Sequence, residues 1–374
     1  MTRIIISAYL RSPFTLASKG ALTRVRPDDM AAQVIKALVE KTKVPSDAIE
    51  DLLLGCAFPE GEQGLNVARQ IVFLAGLPIT VAGATVNRFC GSSMEAVHMA
   101  AGKIASGMGE VFIAAGLESM TRIPMGGFNP SPNPGLYASY PQAYDSMGKT
   151  AETLAKKYSI SRKEQEEFAL KSHKKAVAAN MSEEITAITA KTGSVAQDGC
   201  IRGDANLEKM ATLAPAFDAA GTVTAATSSP LTDGASAVLI CTESYADKHG
   251  LPKLAAIKSM AVAGVPPEIM GIGPVDATKK AMARAGLTLK DIDIIELNEA
   301  FAAQSLAVIK ELGLDESKIN LEGGAIAIGH PLGASGARIT GKAALLLSKH
   351  KAKYALATMC IGGGQGIATV LEAI

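Results

Sequence analysis

The sequence has no tryptophan, no excess of one charge, no long apolar run and no closely paired cysteines. Without tryptophan, a 48% hydrophobic share rests on smaller side chains, with 36 glycines among them. That is the composition of close-packed α/β layers in a compact soluble protein. Lys plus Arg number 37 against 36 Asp plus Glu, so no overall field draws nucleic acid or anionic lipid. An anionic ligand must be met by local charges. No run approaches the roughly 20 apolar residues that span a bilayer, so no membrane insertion is expected. The opening residues 1–11 hold an apolar core too short for a secretory signal and read as a first strand. The five cysteines, Cys56, Cys90, Cys200, Cys241 and Cys360, are odd in number and widely spaced. This argues against a disulfide framework and against a zinc site, and no metal is expected. A reducing cytoplasm is the expected setting.

At 374 residues the chain is long enough for two or three domains. Residues 49–58 can be laid on residues 292–301, each following an amphipathic helix pattern, with Ala32, Ile35, Leu38 and Val39 in the first and Ala277, Ala281, Met282 and Ala285 in the second. The apolar runs 111–116 and 354–360 correspond in the same order. These matches imply two similar α/β halves whose buried strands form mixed sheets covered by helices, the halves packing face to face. Residues 118–227 differ, with a Pro- and Gly-rich start, a charged helix at 161–168 and irregular sequence around Arg202 and Pro215. The expected organisation is an N-terminal domain over 1–249 containing an inserted loop domain at about 118–227, and a C-terminal domain over 251–374.

The strand-like run Ala82–Val86 passes through Asn87-Arg88-Phe89 into Cys90, and Met94, Val97, Ala101, Ile104 and Ala105 then recur at helical spacing. This places the Cys90 thiol at the first turn of a helix. Free N–H groups and the dipole there lower a cysteine pKa from about 8.5 to roughly 3.5–7.5. Taken alone, a small buried core cysteine is the commoner reading. Three further segments put polar side chains at strand ends, where α/β folds build their sites: Asn298-Glu299-Ala300-Phe301, the glycine-flanked His330, and Cys360-Ile361-Gly362-Gly363-Gly364. His173, His249 and His350 lie beside lysines and are expected on the surface, and His98 is expected to be packed on its helix.

Together these motifs, Asn87-Arg88-Phe89-Cys90-Gly91-Ser92-Ser93, Asn298-Glu299-Ala300-Phe301, residues 323–336 with Gly329-His330-Pro331, and Cys360-Ile361-Gly362-Gly363-Gly364, resemble the signature blocks of the thiolase family, in order and over the whole length. In Gly91-Ser92-Ser93-Met94 and in residues 359–368 the chain looks most like bacterial degradative 3-ketoacyl-CoA thiolases. The resemblance implies the thiolase fold, two α/β halves with mixed five-stranded sheets in α-β-α-β-α layers plus a loop domain. It implies thiolytic cleavage of 3-ketoacyl-CoA to acetyl-CoA and a shortened acyl-CoA, and the reverse Claisen condensation. Coenzyme A is then a substrate, and no cofactor is permanently bound. Condensation of two acetyl-CoA in biosynthesis stays open as the alternative.

By resemblance, Cys90 becomes acylated, His330 is its general base and Cys360 handles the second proton. One oxyanion hole would be the N–H groups of Cys90 and Gly362, the other His330 with a water held by Asn298. Arg202 and Ser229 are the expected CoA contacts, and Met147 and Phe301 complete the binding residues. Ser146 stands where relatives often carry histidine, which leaves the acyl-chain preference open. The family also implies a homodimer or homotetramer and admits a β-oxidation multienzyme partner.

Two decoys fall away. The P-loop-like Gly336-Ala337-Arg338-Ile339-Thr340-Gly341-Lys342-Ala343 lacks the hydroxyl that would bind magnesium, and Gly362-Gly363-Gly364-Gln365-Gly366 lacks dinucleotide-fingerprint spacing. A cysteine hydrolase would give Cys360 no task. Condensing enzymes that use a carrier protein typically place histidine and asparagine where this chain has Cys360 and His330.

Overall fold

A computed structural model of the protein describes residues 2–191 and 193–374. The first half contains β1 (Ile4–Arg11), α1 (Pro27–Thr42), β2 (Asp51–Gly55), β3 (Ala82–Val86), α2 (Ser92–Ala105) and β4 (Val111–Ser119). Helices α3 (Met147–Lys157) and α4 (Arg162–Ala178) follow before β5 (Thr232–Thr242) returns to the sheet. The second half contains β6 (Ala255–Gly264), α5 (Gly273–Ala285), β7 (Ile294–Leu297), α6 (Ala302–Leu312), α7 (Leu332–His350), β8 (Tyr354–Ile361) and β9 (Gln365–Glu372).

Local chemistry accounts for these elements. Helix α1 opens on Pro27 with Asp28 and Asp29 in its first turn, ends on left-handed Lys43, and buries Met30, Val34, Ile35 and Leu38. Ser161 and Glu164 form a reciprocal capping box that starts α4. Strands β2, β4, β5 and β8 are buried throughout, which is why they read as continuous apolar runs rather than alternating ones.

The strand order is β7-β8-β9-β6-β1-β5-β4-β2-β3. In the first half β2 pairs in parallel with β3 and β4, and β5 runs antiparallel to β4 and β1. The second half repeats this with β7, β8, β9 and β6. Where β3 stands in the first half, the second has, among the described residues, only a bridge between Ile295 and Ile319. The halves pack face to face through a shared helix layer, as expected, and their sheets also join. The two sheets meet along an edge, where Ile5 and Ile6 of β1 pair with Ala256 and Ala255 of β6. Their faces are held apart by α2 and α7, which touch strands of both halves, while α1 and α5 cover the outer faces. The five α-β-α-β-α layers are thereby complete.

Helix α7 is buried from Leu332 to Ala344. Gly336 lets it lie directly on α2, because a Cβ there would overlap the backbone of Met94. Helices α3 and α4 pack on α6 of the second half, so the segment between the halves is fastened to the half that follows it.

Candidate active site

The turn from β3 to α2 carries the first reactive residue. Phe89 sits in the left-handed region at φ 43°, a conformation non-glycine residues rarely adopt without support. Support comes from Asn87 Oδ1, which accepts from Phe89 N at 2.8 Å, and from Ser92 Oγ, which accepts from Arg88 N at 2.9 Å. The helix begins at Ser92 with Gly91 as its cap, so Cys90 precedes the helix instead of lying in its first turn. The expectation of an acidic thiol is corrected with it. Burial pushes the Cys90 thiol up to about 12; the Gly362 N–H donating to it opposes this, and the Glu118 carboxylate adds to it. Desolvation of S⁻ outweighs the helix dipole here, and Cys90 rests as a neutral thiol.

His330 lies between β5 and the start of α7. Its N–H donates to Thr232 Oγ1 at 3.1 Å. Imidazole Nδ1 lies 2.6 Å from Ser335 Oγ, whose own hydroxyl donates to Pro331 O at 3.3 Å. The proton is therefore on Nδ1, and Nε2 keeps its lone pair. Asn298 Nδ2 is 3.4 Å from that Nε2. Burial, helped by the Arg338 charge, pushes His330 down to about 3, so the ring is neutral at physiological pH. Asn298 follows β7, is fully buried, and its N–H donates to Thr358 O at 3.0 Å. Its Oδ1 has no partner among the described residues.

Cys360 stands near the end of β8 and is buried. Burial raises its thiol well above the ordinary range, and a charge on Cys90 raises it further, so the two thiols sense one another. It shares an apolar cluster with Ala300, Phe301 and Met270, against which Met147 packs. Phe301 meets Phe217 edge-on with ring centres 5.7 Å apart. Gly362 is buried beside Met147: a Cβ on it would lie 3.3 Å from Met147 Sδ. Gly362 and Cys360 bear on Cys90, Met147 packs beside Gly362 and Phe301, and Asn298 stands against His330.

The other two expected contacts lie outside this centre. Ser229 anchors its loop to the second half, its N and Oγ both donating to Ala300 O at 3.0 Å. Arg202 is exposed on the wall of a cleft of about 240 Å³ that also has His173, Lys209, Ser228 and Pro230 on its lining. His173 is a correction: it is buried, and its Nδ1 accepts from Arg202 N at 3.2 Å. Ser146 caps α3. The P-loop-like lysine, Lys342, is buried and bonded to Glu184 at 2.6 Å and to Glu322, so it offers nothing to a phosphate.

Sequence reasoning passed over Ser335, Thr232, Phe217 and Glu118. Glu118 alone left a signal, as the one charged residue directly after the apolar run that begins at Val111.

Two similar α/β halves that enclose a thiol, a neutral imidazole and a second thiol at their shared strand ends define a class of protein built for acyl transfer through cysteine. The sequence matches the thiolase N-terminal domain over residues 4–244 and the thiolase C-terminal domain over residues 251–373. The chain belongs to the thiolase family. Among its relatives, a 3-ketoacyl-CoA thiolase of Shewanella loihica is 48% identical and one of Bacillus subtilis 44% identical, each aligned over the whole of both chains.

Proposed function

We propose that the protein is a degradative 3-ketoacyl-CoA thiolase. The observation that carries this reading is the pairing of unlike cysteines: Cys90, with the Gly362 N–H donating to its thiol, and Cys360, buried among apolar side chains within electrostatic reach of the first. His330 Nε2 takes the Cys90 proton as sulfur attacks C3 of the 3-ketoacyl-CoA. The C2–C3 bond breaks, Cys360 protonates C2, and acetyl-CoA leaves while the shortened acyl group stays on Cys90. Cys360 then takes the proton of incoming CoA, whose sulfur attacks the acyl carbon. The released Cys90 sulfur recovers its proton from His330. The N–H groups of Cys90 and Gly362 would stabilise the oxyanion formed at the acyl carbon. His330, with a water held by Asn298 Oδ1, which has no partner among the described residues, would stabilise the thioester enolate.

CoA is assigned to the cleft, with Arg202 toward its phosphates, Ser229 at the pantetheine arm, and Met147 and Phe301 bordering the acyl group. We assign the working domains as 1–249, with the loop domain at about 118–227, and 251–374. The cytoplasm suits five free thiols. A homodimer is assigned through the β3 edge. Intact-mass spectra after incubation with acyl-CoA should gain one acyl group per chain, and Cys90→Ala should abolish the gain. An adduct that survives that substitution refutes the reading.

A further inference from the structure

Glu118 lies near the end of β4, fully buried, and takes no part in the steps above. Its Oε2 accepts from the N–H of Ala57 at 2.8 Å and of Gly333 at 2.9 Å. Its Oε1 accepts from Gln63 Nε2 at 2.7 Å and from Phe58 N at 3.3 Å. The two bonds to Oε2 each lead to a reactive residue. Ala57 O accepts from Asn87 Nδ2 at 3.1 Å, and Asn87 Oδ1 in turn accepts from the N–H of left-handed Phe89, the residue before Cys90. Gly333 opens the turn of α7 that follows His330 and that holds Ser335 against the imidazole.

A carboxylate removed from water is costly unless several donors compensate it, and a strand end needs no such group to pack. Stabilising a thiolate is excluded as its purpose, because the negative charge of Glu118 makes Cys90 harder to ionise. What remains is geometry. We propose that Glu118 is a positioning residue that registers the Cys90 turn against the His330 turn, so that proton transfer and attack occur at the right separation. This rests on the roles proposed above for Cys90 and His330.

The groups bearing on the Cys90 thiol are Glu118 from β4, Cys360 from β8 and the Gly362 N–H beyond it. In Glu118→Gln an amide NH₂ must face at least one of the present donors, and the charge disappears. Thiolysis kcat should fall about 10²-fold, the cost of misplacing reacting groups by about an ångström, while KM for CoA is unchanged. Alkylation of Cys90 by iodoacetamide, located by peptide mapping on folded protein, should instead shift to lower pH. A merely structural role would not lower kcat while KM for CoA and the folded fraction stay unchanged. Unchanged kcat, or a kcat loss matched by an equal loss of folded protein, overturns the inference. Should Glu118→Gln not fold, Asn87→Ala cuts only the branch to Phe89 and must still lower kcat; wild-type kcat there overturns it as well. A wild-type Cys90 that never becomes acylated refutes the functional reading itself, whereas an acylated Cys90 with unaffected Glu118→Gln turnover refutes this inference alone.

Discussion

Cys90 receives the Gly362 N–H, whereas Cys360 sits among Ala300, Phe301 and Met270, so the two thiols are open to separate tests. Cys360→Ala should still accept an acyl group on Cys90, since His330 is unaltered. It should lose about 10²–10⁴-fold in carbon–carbon cleavage, the usual worth of a positioned acid or base. Wild-type cleavage of acetoacetyl-CoA by that variant would remove Cys360 from the mechanism. His330 gives a pH signature. Its folded pKa is depressed to about 3, so acylation kcat/KM should show no acid limb near 6.5, where an ordinary histidine titrates. Stability follows the same shift: the unfolded chain binds a proton at His330 below about 6.5 and the folded one does not. Its contribution is therefore full above that pH and is lost by about 1.4 kcal/mol per unit as pH falls toward 3. An acid limb at 6.5 in the acylation rate would contradict the buried, neutral ring. Cys90, His330 and Cys360 stood out in the sequence because each follows a strand-like or apolar run and has glycine within two residues. The acidity of Cys90 was not, because a helix-start rule counts the dipole and omits desolvation. His173 was misread from Lys174 and Lys175, yet successive helical residues point about 100° apart and need share no surface.

At the level of elements, apolar runs located the strands, and β2, β4 and β8 all lie where those runs fall. The pairing of β1 with β6 left no trace, since registers between distant segments carry no local period. Buried Arg338 and Lys342 were equally hidden in α7, because charge normally marks a solvent face. Among the described residues, strand β3 ends the sheet with one side unpaired, and exposed apolar side chains flank it, Leu65 at 91% and Ile79 at 76% exposure. Such an edge invites a second copy. Light scattering should give twice the 38.5 kDa chain mass or a higher multiple, and Leu65→Lys with Ile79→Lys should shift the protein toward monomer. A wild-type monomer at micromolar concentration with full activity would defeat the assignment.

The two halves share one interior layer, and most of it belongs to the later one. Helix α7 packs on β1, β4 and β5 of the first half as well as on β7 and β8 of the second. On the ribosome this imposes a delay. After β5 is made, about 100 more residues must follow before α7 exists, roughly 5–20 s at ordinary elongation rates. Through that interval the inner face of the first sheet has only α2 to cover it. A nascent chain stalled near residue 250 should therefore be cut readily by protease and held by a chaperone, and one extended well past His350 should be neither. If the shorter chain already resists cleavage, the first half folds without waiting for the second.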